Sequence, residues 1–95
     1  MLHTVIQVKP TQDFKVYVYF CNGKIKLYDM SPFLDKGVFK QISDIKEFMS
    51  KCTVINHTLV WDLGGNYDPY NCLDIDPETI YEDGIEVADP LRVAA

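Results

Sequence analysis

The residues best equipped for chemistry lie in the last third of the chain. Asp74, Asp76 and Glu78 alternate there, with Asp62 and Asp68 just upstream. Carboxylates this close could hold Mg²⁺ or Ca²⁺, or share a proton. Their spacing is not that of an EF-hand loop, and no Lys accompanies them as it does in many nuclease sites. Asp76 also stands directly before Pro77, in the position of a helix cap, a role worth about 1 kcal/mol. The pattern therefore favours structural or solvated acids over a metal site, and no cofactor is expected. His3 and His57 have no Ser, Cys or Asp at motif spacing and read as edge and turn histidines, although a Cys–His pair assembled in space stays open. Cys21, Cys52 and Cys72 are odd in number, widely spaced and without a C-x-x-C pair, which argues against a disulfide framework and a structural zinc. Reduced thiols used as small hydrophobes predict a cytoplasmic protein.

A second group is suited to binding rather than catalysis. Tyr17, Tyr19 and Tyr28 fall near Lys24 and Lys26 in two alternating runs. If they share an outer sheet face, that face is aromatic and cationic together. It would suit a protein partner, and less well the stacking of nucleic-acid bases. Cross-strand Tyr–Lys pairs also stabilise a sheet with no ligand at all. Charge adds to this. Residues 1–60 carry eight Lys and five acids, whereas residues 61–95 carry Arg92 against nine acids, so a segment of net +3 precedes one of net −8. The acidic third is either a solvating face or a docking surface for a basic partner.

The elements that must position these residues are legible from periodicity. Phe14, Val16, Val18 and Phe20 alternate with Lys15, Tyr17, Tyr19 and Cys21, and Asn22-Gly23 follows. That dipeptide predicts a two-residue type I′ hairpin in which Val16 faces Asp29, Val18 faces Leu27 and Tyr17 faces Tyr28. Thr4 to Val8 is a preceding strand, with Pro10 in the connection, completing an antiparallel meander. Ser31-Pro32 starts one helical turn that Gly37 stops. Asp44 with Glu47 forms a capping-box-like pair before a helix whose apolar stripe is Ile45, Phe48, Met49 and Cys52. Thr53 to Ile55 and Leu59 to Trp61 form a second hairpin, and residues 63–71 a polar loop. Leu73 and Ile75 mark a short strand, followed by a helix from Asp76 and Pro77 that Gly84 ends. The expected fold is α+β: a single small domain over residues 1–84, an antiparallel sheet of a meander plus a second hairpin, two short helices, and a tail at 85–95.

Size and composition exclude several classes. Ninety-five residues suffice for one domain that buries about 60–65% of its unfolded surface. An apolar share of 47% with five Gly and five Pro is globular rather than disordered or low-complexity. A net charge of −5 argues against direct nucleic-acid binding. The longest apolar run, Val16 to Cys21, is far short of the roughly 18 residues a membrane helix needs, and the first residues lack the basic start of a secretory signal.

One set of residues carries a family likeness. It runs through Phe20, Asn22-Gly23, Tyr28-Asp29, Pro32, Gly37-Val38-Phe39, Phe48 and Trp61-Asp62, and closes on Asp74-Ile75-Asp76-Pro77 with Ile80-Tyr81. Over about residues 3–83 the chain resembles the bacterial family called domain of unknown function 2442, and Trp61 to Asp68 is similar to its longer-loop branch. The resemblance implies a small α+β protein, encoded beside a second short family and paired with it as a toxin–antitoxin module. Some members add a helix-turn-helix domain, and residues 84–95 hold no such segment. No catalytic residue carries over. The expectation is a non-enzymatic protein-binding module, the antitoxin-like partner of a small basic protein. It would dock through Asp74, Asp76, Glu78 and Glu82, and through Tyr17, Tyr19, Tyr28 and Lys26. The alternatives are a small metal-dependent hydrolase using the Asp cluster, or a nucleic-acid-associated regulator. The oligomeric state stays open.

Overall fold

The hairpin that the alternation predicts is present, but it pairs one residue out of the expected register. A computed structural model describes residues 3–66, 68 and 71–90. In it β2 (Lys15–Phe20) and β3 (Ile25–Asp29) set Val16 opposite Tyr28, Tyr17 opposite Leu27, Val18 opposite Lys26 and Tyr19 opposite Ile25. The cause lies in the loop. Gly23 N–H donates to Phe20 O at 3.0 Å and Phe20 N–H donates to Lys24 O at 2.9 Å, which leaves three residues in the connection. Gly23 has φ +90°, whereas Asn22 is not in the left-handed region, so the paired positive φ values of a type I′ turn are missing. A turn closed by a left-handed glycine bulge takes its place. Asn22 acts through its side chain: Oδ1 accepts Lys24 N–H at 3.0 Å, and Nδ2 donates to Tyr81 Oη at 3.1 Å.

The two-residue turn with both φ positive occurs instead in the second hairpin. Asn56 and His57, at +52° and +61°, join β4 (Cys52–Ile55) to β5 (Thr58–Asp62). β6 (Cys72–Ile75) pairs antiparallel with β5 and completes a three-stranded sheet. β1 (Val5–Pro10) flanks β2 in the other sheet, whose order is β1-β2-β3-β7 with β7 at Ile85–Glu86. Among the described residues there are thus two antiparallel sheets where one was expected. β1 packs against β4 and β5, and Val5 N–H donates to His57 O at 3.0 Å. Pro10 belongs to β1, opposite Val16, rather than to the connection. It is tolerated there because an edge strand needs no N–H on its outer side.

The helical segments follow their caps closely. Asp44 Oδ1 accepts Lys46 N–H at 2.9 Å and starts α1 (Ile45–Lys51). Glu47 does not close the capping box; it pairs with Lys51 one turn on, at 2.8 Å. α1 is too short to stand alone. It is held by Phe48, fully buried against Trp61 and Phe14, and by the Trp61 Nε1–H that donates to Phe48 O at 3.0 Å. Before α1, Ser31–Phe33 is one 3₁₀ turn, capped by Asp29 rather than Ser31: its Oδ1 accepts the Ser31 N–H and Oγ–H. Gly37 does not stop it but opens a second 3₁₀ stretch, Gly37–Ile42, which buries Ile42. α2 (Pro77–Asp83) begins on Asp76, whose Oδ1 accepts Glu78 N–H at 3.0 Å. Gly84 ends it, where a Cβ would lie 2.7 Å from Ile80 O of the helix's own last turn and 2.9 Å from Lys26 Cβ on β3.

The expected tail starts as structure. Ile85–Glu86 form β7, antiparallel to β3, and Val87 N–H donates to Ile25 O at 3.0 Å. In the polar loop Tyr67, Pro69 and Tyr70 lie outside the described residues, as do residues 91–95 of the tail. The core joins both sheets and both helices through Val16, Val18, Phe20, Tyr28, Phe48, Leu59, Trp61 and Ile80.

The register has a direct test. Tyr28 is 6% exposed on the core face, whereas the expected pairing would have turned it outward. Tyr28→Ala should cost about 3 kcal/mol in urea unfolding. A loss under about 0.5 kcal/mol, usual for a surface site, would contradict the observed pairing.

Candidate functional site

The shifted register divides the residues expected to form one Tyr/Lys face. Side chains alternate along a strand, so Tyr17 and Tyr19 share a face with Leu27 and Ile25, while Tyr28, Lys26 and Lys24 lie on the other. Tyr28 is in the core, stacked on Phe33 at 6.3 Å, and burial pushes its hydroxyl pKa up, with Asp83 adding to the shift. Tyr19 is 8% exposed and donates to Asp89 Oδ1 at 2.9 Å. Burial first, and Asp89 second, push its pKa up to about 12. Tyr17 stays half-buried on the outer face. Lys26 lies over the Tyr81 ring at 4.7 Å, and Lys24 pairs with Glu86 at 3.2 Å.

The acids are likewise distributed among different tasks. Asp76 caps α2. Asp62, 6% exposed, accepts Gly65 N–H at 3.1 Å. Glu78 meets His3, a contact between residues 75 apart that no local sequence signal announces. The His3 backbone N–H donates to Oε2 at 2.5 Å, and the ring Nδ1 lies 2.7 Å from Oε1. The same imidazole stacks on Tyr81 with centroids 3.6 Å apart, and Phe20 meets Tyr81 edge-on at 5.1 Å. Asp74, Glu82 and Asp83 are exposed, and among the described residues no Lys, Arg or His forms an ion pair with them.

The chemistry open to this arrangement is limited. Among the described residues no group of three or more His, Cys, Asp or Glu side chains could hold a metal ion. Burial pushes the Cys52 thiol up to about 12, and Cys72 is raised by burial and by the neighbouring Asp74, Asp62 and Asp68. Both shifts run opposite to those of a nucleophilic thiolate. Clefts flank the second sheet. One, about 480 Å³, lies between the end of α1 and the Gly64-Gly65 loop, where Lys51 is held by Glu47 and by Leu63 O. Another, about 190 Å³, runs across Ile55, Thr58, Val60, Cys72 and Asp74. A further one, about 300 Å³, lies between His3, His57, Asp76 and Glu78. In it Asp76 is occupied as a cap and Glu78 by His3.

The His3–Glu78 contact makes a pH prediction. The His3 backbone N–H first, and its ring second, hold the Glu78 carboxyl below the usual 4.5. A folded-state pKa below the unfolded one contributes stability above 4.5 that is lost as pH falls through the folded value. Glu78→Gln should therefore flatten the acid limb of stability below that pH, with little change in the slope above it. Urea midpoints across the acid range provide the measurement, and an unchanged acid slope would refute the linkage.

No curated protein and no solved structure matches the chain. A family model described as Protein of unknown function (DUF2442) matches residues 5–86. That span starts at the first residue of β1 and ends at the last of β7, so the fourth strand is part of the shared domain. The chain belongs to this family of proteins of unknown function.

Proposed function

We propose that the chain is a non-enzymatic protein-binding module that offers the exposed carboxylates of β6 and α2 to a basic protein partner. One observation carries the reading. Asp74, Glu82 and Asp83 remain exposed, without an ion pair among the described residues, on elements that are themselves firmly held. α2 is capped by Asp76 and buries Ile80 in the core, so its outer carboxylates are presented from a rigid support. Asp76, Glu78, Glu86 and Asp89 have partners within the chain, which narrows the docking surface to part of the acidic third. The partner is a small basic protein of toxin-like kind, and the mechanism is occlusion, each carboxylate pairing a Lys or Arg at the site it blocks. This reading includes a cytoplasmic location. It is supported by charge asymmetry and by family resemblance. No helix among the described residues is long and apolar enough to cross a membrane. A metal-dependent hydrolase would want several liganding side chains brought together, whereas Asp62, Asp76 and Glu78 are engaged separately.

The test is titration calorimetry against the protein encoded next to this one. Binding at micromolar concentration or tighter is expected, weakening with salt. Glu82→Lys combined with Asp83→Lys should weaken it at least about tenfold. Stability should hold, because a Lys at the last turn of α2 suits the helix dipole. Absence of binding at micromolar concentration sinks the proposal.

A further inference from the structure

The outer face of the four-stranded sheet is independent of the acidic surface and has a charge layout of its own. Both helices and the second sheet lie on the opposite, core side. Across the outer face, Lys9, Tyr17, Leu27 and Ile85 form one row, strand by strand. Gln7, Tyr19 and Ile25 form the next row on the same face. Tyr17, Ile25 and Leu27 are half-buried and Ile85 is 69% exposed, whereas Tyr19 is covered and bonded to Asp89, so the open part of the face is the Tyr17–Leu27–Ile85 row. Beyond this apolar centre, Lys15 and Asp29 stand opposite each other on the same face. Positive groups thus lie toward the β1–β2 side, and a negative group lies on β3.

We infer that this face is the interface of a homodimer, two copies packing sheet on sheet about a two-fold axis parallel to the strands. Such an axis reverses the strand order of one copy over the other while keeping position along the strands. Tyr17 then meets Leu27 of the second copy and Lys15 meets Asp29, while Tyr19 is already covered within its own chain. Each contact occurs twice, as an isologous interface requires. Sheets packed face to face lie within about 30° of alignment, so contacts near the axis keep their partners. The local interactions leave these charges usable. Lys15 reaches only Asp13, at 3.7 Å between two exposed groups, and Asp29 holds the Ser31 turn through one oxygen. The acids of α2, which would repel a second copy, sit on the far side of the sheet with Tyr81 against Phe20.

Sedimentation of the full chain is the test. A dimer of twice 10.9 kDa is expected at about 100 μM. Ile85→Lys, at an exposed edge position that this axis sets against Lys9 of the second copy, should raise the dissociation constant at least about tenfold. The charge pair allows a sharper experiment. Lys15→Asp alone and Asp29→Lys alone each set like charges across the axis and should be monomeric. Mixed one to one, they restore both pairs and should form a heterodimer. A monomeric full chain overturns the inference, whether the face stays bare or takes up residues 91–95. So does a dimer indifferent to Ile85→Lys, or a mixture of folded charge variants that stays monomeric.

Discussion

The loop Cys21-Asn22-Gly23 decides which side of two strands meets the core. A register change of one residue sends every side chain of a strand to the other face, and this loop has one residue more than the shortest hairpin would. Gly23 supplies the left-handed backbone, and Asn22 fixes the geometry by accepting Lys24 N–H. Tyr28 and Met30 consequently fill the core, while Ile25 and Leu27 join Tyr17 and Tyr19 outside. The same Asn22 donates to Tyr81, so the loop that sets the register also anchors α2. Local turn chemistry and tertiary docking are one constraint here.

Tyr81 is where the two ends of the chain meet. His3 stacks on its face, Phe20 meets it edge-on, Lys26 lies over the ring and Asn22 holds its hydroxyl. Each contact is weak alone, on the order of 0.5–1.5 kcal/mol for an aromatic or cation–π pair. Gathered on one residue of a seven-residue helix, they supply the attachment that so short a helix lacks by itself. Buried Ile80 provides the apolar part beneath.

The sequence displayed what local chemistry controls. Both α-helix caps, Asp44 and Asp76, act where the residue order places them, because capping involves only the next two or three residues. The second hairpin was legible from its two β-rich runs and the last strand of its sheet from alternation. The register of the first hairpin was not. Asn-Gly is compatible with more than one turn, and in the turn adopted Asn22 also donates to Tyr81, 59 residues away. Division into two sheets and addition of Ile85–Glu86 to β3 were equally hidden, because a two-residue strand has no periodicity to read. At the candidate site the acids were visible, but their separate tasks were not. The His3–Glu78 and Tyr19–Asp89 contacts span 75 and 70 residues. The grouping of Tyr28 with Tyr17 and Tyr19 failed with the register that implied it.

Charge asymmetry along the chain then takes on two roles that compete for the same residues. A segment of net +3 and one of net −8 attract, and Lys24 with Glu86 joins them across 62 residues. Exposed pairs of this kind contribute only about 0–1 kcal/mol each, so they orient the last third on a fold that apolar burial stabilises. The opposite charges cannot all be matched, because the acids outnumber the bases by five. Part of the surplus appears on Asp74, Glu82 and Asp83, where solvation makes it cheap to keep and where its field reaches outward over about a Debye length. Internal pairing thus determines which carboxylates remain available outside.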